Sequence, residues 1–411
     1  MKYSIITFGC RVNQADSLAI EAELLASGGT PAAPDEAEIL VVNTCSVTAA
    51  ADQGARQTIR RVTRDNPSVR VVVTGCYATR APHEVASLPN VARIVPNSEK
   101  DSVARLVAEE TVVTTAQRFD NGEGPCGNRI VPGVAGRTAF TLRVQTGCDE
   151  HCSYCIIPST RGRGRSKPIA EALADVRRAV TAGYKEIVIT GVHLGSYGRD
   201  LPQQSSLLAL LRHLAEWPAD VLFRVSSLEP MDCTRDVVSL VATSPRIAPH
   251  FHLPIQHGAD SMLRAMRRPY TAAYYAALVT RIADLMPHAS IGSDLIVGFP
   301  GESDSEFQES LELLRRLPLS HLHVFPYSDR PGTAASALQP KVDGRLTRER
   351  GRLVRDAAAE MTRRFRVAQR GCTRRALVVD DGWSAVTDNY IKVRLDEQAE
   401  RNTWRMVTLL Q

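Results

Sequence analysis

The stretch Cys148-Asp149-Glu150-His151-Cys152-Ser153-Tyr154-Cys155 sets the reading of this 411-residue chain. Its cysteines follow an apolar run, Phe140 to Val144, and precede a basic loop containing Arg161, Arg163, Arg165 and Lys167. Thiolate is a soft ligand suited to zinc or iron, and thiols this close can share one metal-sulfur centre without long-range folding to gather them. Three thiols with no evident fourth leave one metal position open, which suits a reactive centre better than a structural one. The alternative is a structural zinc site with His151 as fourth ligand. Closed zinc sites usually pair their ligands as two short hooks, and the adjacent His151-Cys152 fits a tetrahedron poorly.

Length and composition bound the rest. A chain this long can hold two or three domains, each with its own core. Hydrophobic content of 44% and charged content of 23% are ordinary for a soluble protein. No apolar run approaches the roughly 18 residues of a membrane span, so no membrane partner is expected. Met1 to Cys10 lacks the layout of a secretory signal, and nine cysteines is an odd number. Reduced thiols and a cytoplasmic location follow as expectations.

The first segment alternates strand-like and helical patterns. Strands are predicted at Tyr3–Phe8, Ile39–Val42 and Val69–Val73, with helices over Ala15–Ala26 and from about Thr48 to Arg64. Alternation of this kind implies a parallel sheet. Cys10, Cys45 and Cys76 each come just after one of these strands. In an open parallel sheet those strand ends share one edge, where ligands usually bind. A single cysteine there is most simply a buried small apolar residue, but three at one topological position point to a second cluster.

A weaker pattern from Asn97 to Thr138 reads as a linker, with Cys126 incidental in it. Alternation then resumes, with strands predicted at Phe140–Val144, Glu186–Thr190, Val221–Val225, His250–Ile255, Ser290–Val297 and His321–Phe325. Six such units read as an open, partial (β/α) barrel, whose active sites lie at the C-terminal strand ends. Ser227, Glu229, Gln256 and Asp294 fall near those ends, as do His193 and Tyr197. A helix is predicted from Asp343 to Arg375, with 11 arginines against 4 acidic residues. It leads into short strands at Ala376–Asp380, Ser384–Thr387, Tyr390–Leu395 and Thr403–Leu409. A basic helix feeding a small β-barrel reads as a nucleic-acid platform. Cys233 and Cys372 read as packing residues.

The cysteine spacing, with Tyr154 before the last thiol, resembles the radical S-adenosylmethionine (SAM) signature. More widely, Thr7-Phe8-Gly9-Cys10, Asn43-Thr44-Cys45, Thr74-Gly75-Cys76, Ile156-Ile157-Pro158, Arg161-Gly162, Leu253-Pro254-Ile255-Gln256 and the run from Asp294 to Glu302 resemble the methylthiotransferase family. That family comprises radical SAM enzymes that attach a methylthio group to tRNA or to a ribosomal protein. The tail around Thr387 to Val393 resembles a TRAM domain, a small RNA-binding β-barrel. His257 departs from the family, which mostly has Ser after the Gln.

The resemblance implies an α/β chain in five parts. These are an N-terminal open parallel-sheet domain (1–115), a linker (116–137), a partial (β/α)6 radical SAM barrel (138–342), a basic linker helix (343–371) and a TRAM-like domain (372–411). It implies two [4Fe-4S] clusters, an auxiliary one on Cys10, Cys45 and Cys76 and the radical SAM cluster on Cys148, Cys152 and Cys155. It also implies SAM; Ser227, Glu229, Gln256 and Asp294 are the expected contacts from their strand-end positions. The expected partners are tRNA, reached by Arg161, Arg163, Arg363, Arg364, Arg366 and Lys392, an electron donor of flavodoxin or ferredoxin type, and an unassigned sulfur donor. Ala51 to Arg61 and Arg267 to Thr271 resemble the branch acting on N6-threonylcarbamoyladenosine beside the anticodon. Isopentenyladenosine and a ribosomal-protein aspartate are the alternative targets, and a zinc-containing RNA-binding protein is the non-enzymatic one.

Overall fold

The middle strands of the N-terminal sheet are apolar on both faces, and this decides where the helices go. In the computed structural model, which describes residues 1–111, 138–202 and 205–410, five strands form one parallel sheet. They are β1 (Lys2–Thr7), β2 (Thr30–Pro31), β3 (Ile39–Thr44), β4 (Arg70–Gly75) and β5 (Val91–Val95), in the order β2-β1-β3-β4-β5. The helices are α1 (Arg11–Ala26), α2 (Ala49–Asp65), α3 (Cys76–Arg80), α4 (Pro82–Ala86) and α5 (Val103–Thr111). Side chains alternate along a strand, so β3 and β4 feed two cores. Leu40, Val42, Val71 and Val73 pack with Ala55, Ile59 and Val62 of α2. Ile39, Val41 and Val72 pack with Ile20 and Leu24 of α1 and Val103 and Val107 of α5. The expected linker at 116–137, with Cys126, lies outside the described residues.

The chain divides into two compact units. The first comprises Met1–Ile130 with Gly147–Asp149 and Ile156–Arg163; the second comprises Val131–Thr146, Glu150–Cys155 and Gly164–Gln411. The first therefore includes the helix α6 (Ile157–Arg161).

The second unit holds β6 (Phe140–Arg143), a short antiparallel ribbon of β7 (Gln145–Thr146) with β8 (Arg165–Ser166), then β9 (Glu186–Thr190), β10 (Leu222–Val225), β11 (His250–His252), β12 (Ser290–Val297) and β13 (His321–Pro326). β6, β9 and β10 pair in parallel, as do β11, β12 and β13. A bridge between Ser227 and His252 joins the two runs, giving six strands in chain order. Helices α7 (Ile169–Thr181), α8 (Leu207–Ala215), α9 (Arg235–Thr243), α10 (Asp260–Ala265), α11 (Ala272–Leu285) and α12 (Asp304–Arg316) alternate with them. This is the expected partial barrel, with its strand ends on one side.

The basic helix α13 spans Gly344–Ala368, capped by Asp343, whose carboxylate accepts from the backbone of Arg345 and Leu346. It stops short of the predicted Arg375. Gly371 turns the chain with φ +79°, and Arg374 and Arg375 already lie on strand β14 (Thr373–Val379). β14 pairs antiparallel with β15 (Ser384–Thr387) and β17 (Trp404–Thr408), and β16 (Lys392–Arg394) borders β15. No helix among the described residues is long and apolar enough to cross a membrane.

Candidate metal centres

At the C-terminal edge of the N-terminal sheet, each expected cysteine sits on the residue where strand gives way to helix or loop. Cys10 is the N-cap of α1, Cys45 follows β3, and Cys76 opens α3 directly after β4. All three are free thiols; Cys45 and Cys76 are buried and Cys10 is exposed. Gly9, with φ +92°, passes so close to Cys45 that a Cβ would sit 2.6 Å from its Sγ. Gly75, with φ +98°, lies against the backbone of Thr44. Glycine meets both demands because it tolerates positive φ and leaves room for the neighbouring chain. Side chains then tie the loops together. Asn13 donates to the carbonyls of Phe8 (2.8 Å) and Thr44 (2.9 Å), and the Thr44 hydroxyl donates to the Thr74 carbonyl at 2.6 Å.

The thiols influence one another. Burial pushes Cys45 up to about 11; the Val47 N–H and the nearby Arg161 oppose this, while the charges of Cys10 and Cys76 add to it. A bound cation stabilises the thiolate form against both burial and neighbouring charge, as sulfur-ligated iron would here. The donor chemistry fits: three cysteines, no carboxylate among them, and one cluster corner left for another ligand.

Behind this edge is a buried ionic group that no local sequence pattern announces. Lys100 Nζ lies 2.7 Å from Asp16 Oδ2, and Arg161 Nη2 lies 3.2 Å from the same oxygen. Arg161 also bonds to the Asn13 side-chain oxygen. Burial works against the Arg161 charge, but Cys76, Asp16 and Cys10 outweigh it and hold the guanidinium more firmly protonated than usual. Cys148 belongs to this unit as well, its N–H donating to the Gly162 carbonyl at 3.1 Å.

In the barrel unit, Cys152 and Cys155 occupy one tight turn, the Cys155 N–H donating to the Cys152 carbonyl at 3.1 Å. Ser153 anchors that turn through its N–H to Met266 (3.1 Å) and its hydroxyl to Ala265 (2.8 Å). Arg268, buried nearby, donates to Cys152 Sγ at 3.0 Å and to the Tyr270 hydroxyl at 3.2 Å, and pairs with Glu229. The sequence marks Arg268 only as one residue of the Arg267-to-Thr271 run. No local pattern shows that this guanidinium turns toward a thiol.

The expected SAM contacts are distributed along the same strand ends. Ser227 bridges to His252, and Glu229 is held by Arg268. Gln256 has φ +66°; its N–H donates to the Asp294 carbonyl at 2.9 Å. Asp294 sits inside β12 rather than at its end. Its Oδ1 lies 3.1 Å from His252 Nε2 and 3.2 Å from His323 Nδ1. Burial favours the neutral acid, but the two histidines prevail and bring the Asp294 carboxyl down to about 2. Those hydrogen bonds account for the closeness of this group, whose ligand atoms lie within 4.8 Å of one another. His193, also buried, pairs with Asp232 at 2.8 Å, and Gly195 leaves the space that Asp232 fills.

The basic residues divide in two. Arg161 is buried in its ionic group, so its guanidinium is not presented to a phosphate. Arg163 is exposed beside Asp149 (3.2 Å). Arg363, Arg364 and Arg366 are exposed on α13, Arg363 pairing with Glu360 and Arg364 donating to the Arg315 carbonyl at 3.2 Å. Lys392 is exposed on β16, 2.6 Å from Asp380.

Residues 2–96 match the family described as Uncharacterized protein family UPF0004, and residues 142–314 match the Radical SAM superfamily. A threonylcarbamoyladenosine tRNA methylthiotransferase MtaB of Aquifex aeolicus is 36% identical over 406 residues, covering 97% of this chain and 98% of the relative. A namesake in Bacillus subtilis is 36% identical over 353 residues, covering 84% and 77%. A tRNA-2-methylthio-N(6)-dimethylallyladenosine synthase of Herpetosiphon aurantiacus is 34% identical, covering 85% and 79%. The solved structure of a radical SAM methyltransferase, TsrM, from Kitasatospora setae shares the fold, with a TM-score of 0.56 at 14% identity over 82% of this chain and 74% of that one. A radical SAM domain implies a [4Fe-4S] cluster and SAM. The chain belongs to the radical SAM tRNA methylthiotransferase family.

Proposed function

We propose that this protein converts N6-threonylcarbamoyladenosine at position 37 of tRNA, next to the anticodon, to its 2-methylthio derivative. Cys148, Cys152 and Cys155 hold the radical SAM cluster, and Cys10, Cys45 and Cys76 hold an auxiliary [4Fe-4S] cluster. The observation that carries this reading is the gathering of Cys10, Cys45 and Cys76 at one sheet edge, beyond the ends of three strands of one parallel sheet. An enzyme that only made a radical would need one cluster. A second three-thiol set with a vacant corner suits delivery of sulfur.

Adenine C2 bears an unactivated C–H bond that no side-chain acid or base can readily break. When bound, the clusters and SAM supply the electron, the hydrogen-abstracting radical and the sulfur. The chain supplies placement. Ser153 fixes the turn carrying Cys152 and Cys155, while Ser227, Glu229, Gln256 and Asp294 hold SAM. The exposed arginines of α13, with Lys392, hold the tRNA backbone, since proteins reach RNA bases mainly in single-stranded loops.

The threonylcarbamoyl target is favoured by the near full-length likeness to the Aquifex relative. The likeness to the dimethylallyladenosine synthase keeps isopentenyladenosine as a second reading. Mass spectrometry of tRNA nucleosides from a deletion strain, with and without the restored gene, decides. Loss and return of 2-methylthio-N6-threonylcarbamoyladenosine is expected. A change confined to the isopentenyl derivative would overturn the target, and no change in either would overturn the activity.

A further inference from the structure

Lys100, Arg161 and Asp16 are all buried, on three separate segments of the N-terminal unit. The Asp16 carboxylate lies 2.7 Å from Lys100 and 3.2 Å from Arg161, so two cations converge on one oxygen. A buried charge is costly unless an opposite charge faces it. Asn97 ties the Arg161 segment to the cysteine edge, its amide donating to the Thr160 carbonyl at 2.9 Å and reaching Cys76 Sγ at 3.6 Å. Asn13 joins the two sides, its side-chain oxygen bonded to Arg161 and 3.5 Å from Lys100 Nζ, its amide holding the loops of Cys10 and Cys45.

A cluster held by three thiolates is anionic, and it becomes more so when reduced or when an anion takes its fourth iron. We propose that Lys100 and Arg161 set the charge at the cluster of Cys10, Cys45 and Cys76, raising its reduction potential and favouring an anionic sulfur ligand on its open iron. This rests on the two-cluster reading above. Neither residue touches the reacting atoms; both act through the field they impose. Asp16 works in the opposite sense, and its carboxylate keeps the two cations in register.

The experiment uses the full-length chain with Cys148, Cys152 and Cys155 changed to Ala, reconstituted anaerobically so that only the N-terminal cluster forms. Redox titration followed by electron paramagnetic resonance gives the midpoint, and titration with methanethiolate gives the affinity for an anionic sulfur ligand. Lys100→Met and Arg161→Met should lower the midpoint and weaken methanethiolate binding roughly tenfold or more, as expected for one nearby charge in a poorly screened site. Asp16→Asn should move both quantities the other way, and Lys100→Arg should restore the parent values. A merely structural role would shift Lys100→Met and Asp16→Asn together, because both break the same ion pair. Shifts of the same sign, or none, overturn the inference. If Lys100→Met does not fold, the sign of the Asp16→Asn shift alone decides. If the parent chain takes up no cluster, roughly four iron per chain on this reading, the assignment of the cysteines fails instead.

Discussion

Arg268 donates a hydrogen bond of 3.0 Å to the Sγ of Cys152, and the same guanidinium is fixed by Glu229 and by the Tyr270 hydroxyl. Hydrogen bonds to cluster sulfurs help set reduction potentials. Replacing Arg268 by Met should therefore lower the potential of the cluster assigned to Cys148, Cys152 and Cys155. A charged hydrogen bond worth about 1.5–3 kcal/mol corresponds to at most roughly 65–130 mV for one electron. Lys keeps the charge but not the planar fork, so Arg268→Lys should fall between parent and Met. Redox titration of the holoenzyme checks the order, and an unchanged midpoint in both variants would refute it.

Gly75 is the tightest point of the N-terminal edge. A Cβ there would meet the Thr44 carbonyl oxygen at 2.2 Å and its nitrogen at 2.6 Å, at a φ of +98°. The backbone conformation alone costs a non-glycine residue about 1–3 kcal/mol, before the clash. Gly75→Ala should displace Cys76, and iron per chain should fall from roughly eight to roughly four. Full iron uptake in a folded variant would show that the cysteine loop does not depend on this close approach.

On α13, seven of the eight arginines are exposed, and Arg350 is buried. Changing Arg345, Arg348, Arg352 and Arg355 to Gln should weaken tRNA binding and flatten the fall of log affinity with log salt. The slope should drop by about 0.7–0.9 for every phosphate the helix no longer neutralises. Arg350 is the internal contrast. It lies 3.2 Å from Glu302 and 2.6 Å from Asp304, so Arg350→Met strands a buried carboxylate and should destabilise the fold by roughly 3–5 kcal/mol. Its salt slope should remain that of the parent. Equal slopes across the whole set would mean the helix presents only a solvated face.

His257 and His321 give the fold an acid sensitivity. Burial pushes each imidazole down to about 4, with nearby positive charges adding and carboxylates opposing. The unfolded chain takes up these protons near pH 6.5, so below that value it binds more protons than the native state. Stability should thus fall as pH drops from about 6.5 to 4, and level off once the folded imidazoles also protonate. A tenfold change in proton affinity is worth about 1.4 kcal/mol, so one such histidine accounts for a few kcal/mol. His257→Ser should flatten this dependence in thermal melts between about pH 5 and 7.5, the range that brackets the free imidazole. The native imidazole accepts from the Ala259 N–H at 3.0 Å, so a small loss at neutral pH is expected too.

Where periodicity is strong, the elements are legible. Glu186–Thr190, Ser290–Val297 and Ser384–Thr387 have the bounds that alternation and β-branched content indicate. The end of α13 is not legible, because arginine is at home in helix and strand surface alike. There Gly371 and the ladder with β17 decide the matter. The N-terminal strands can be anticipated only as parallel; their order and register come from packing both faces of β3 and β4.

The amino-acid sequence by itself determined the two thiol trios and their placement after strands, since cysteine spacing and strand-end position are local properties of the chain. Only the tertiary structure decided what surrounds those thiols: Arg161 turned inward onto Asp16 and Lys100, Arg268 turned onto Cys152, and Asp294 held between two histidines. A buried charge is stable only beside its partner, and partners distant along the chain have no local signature until folding brings them within hydrogen-bonding reach.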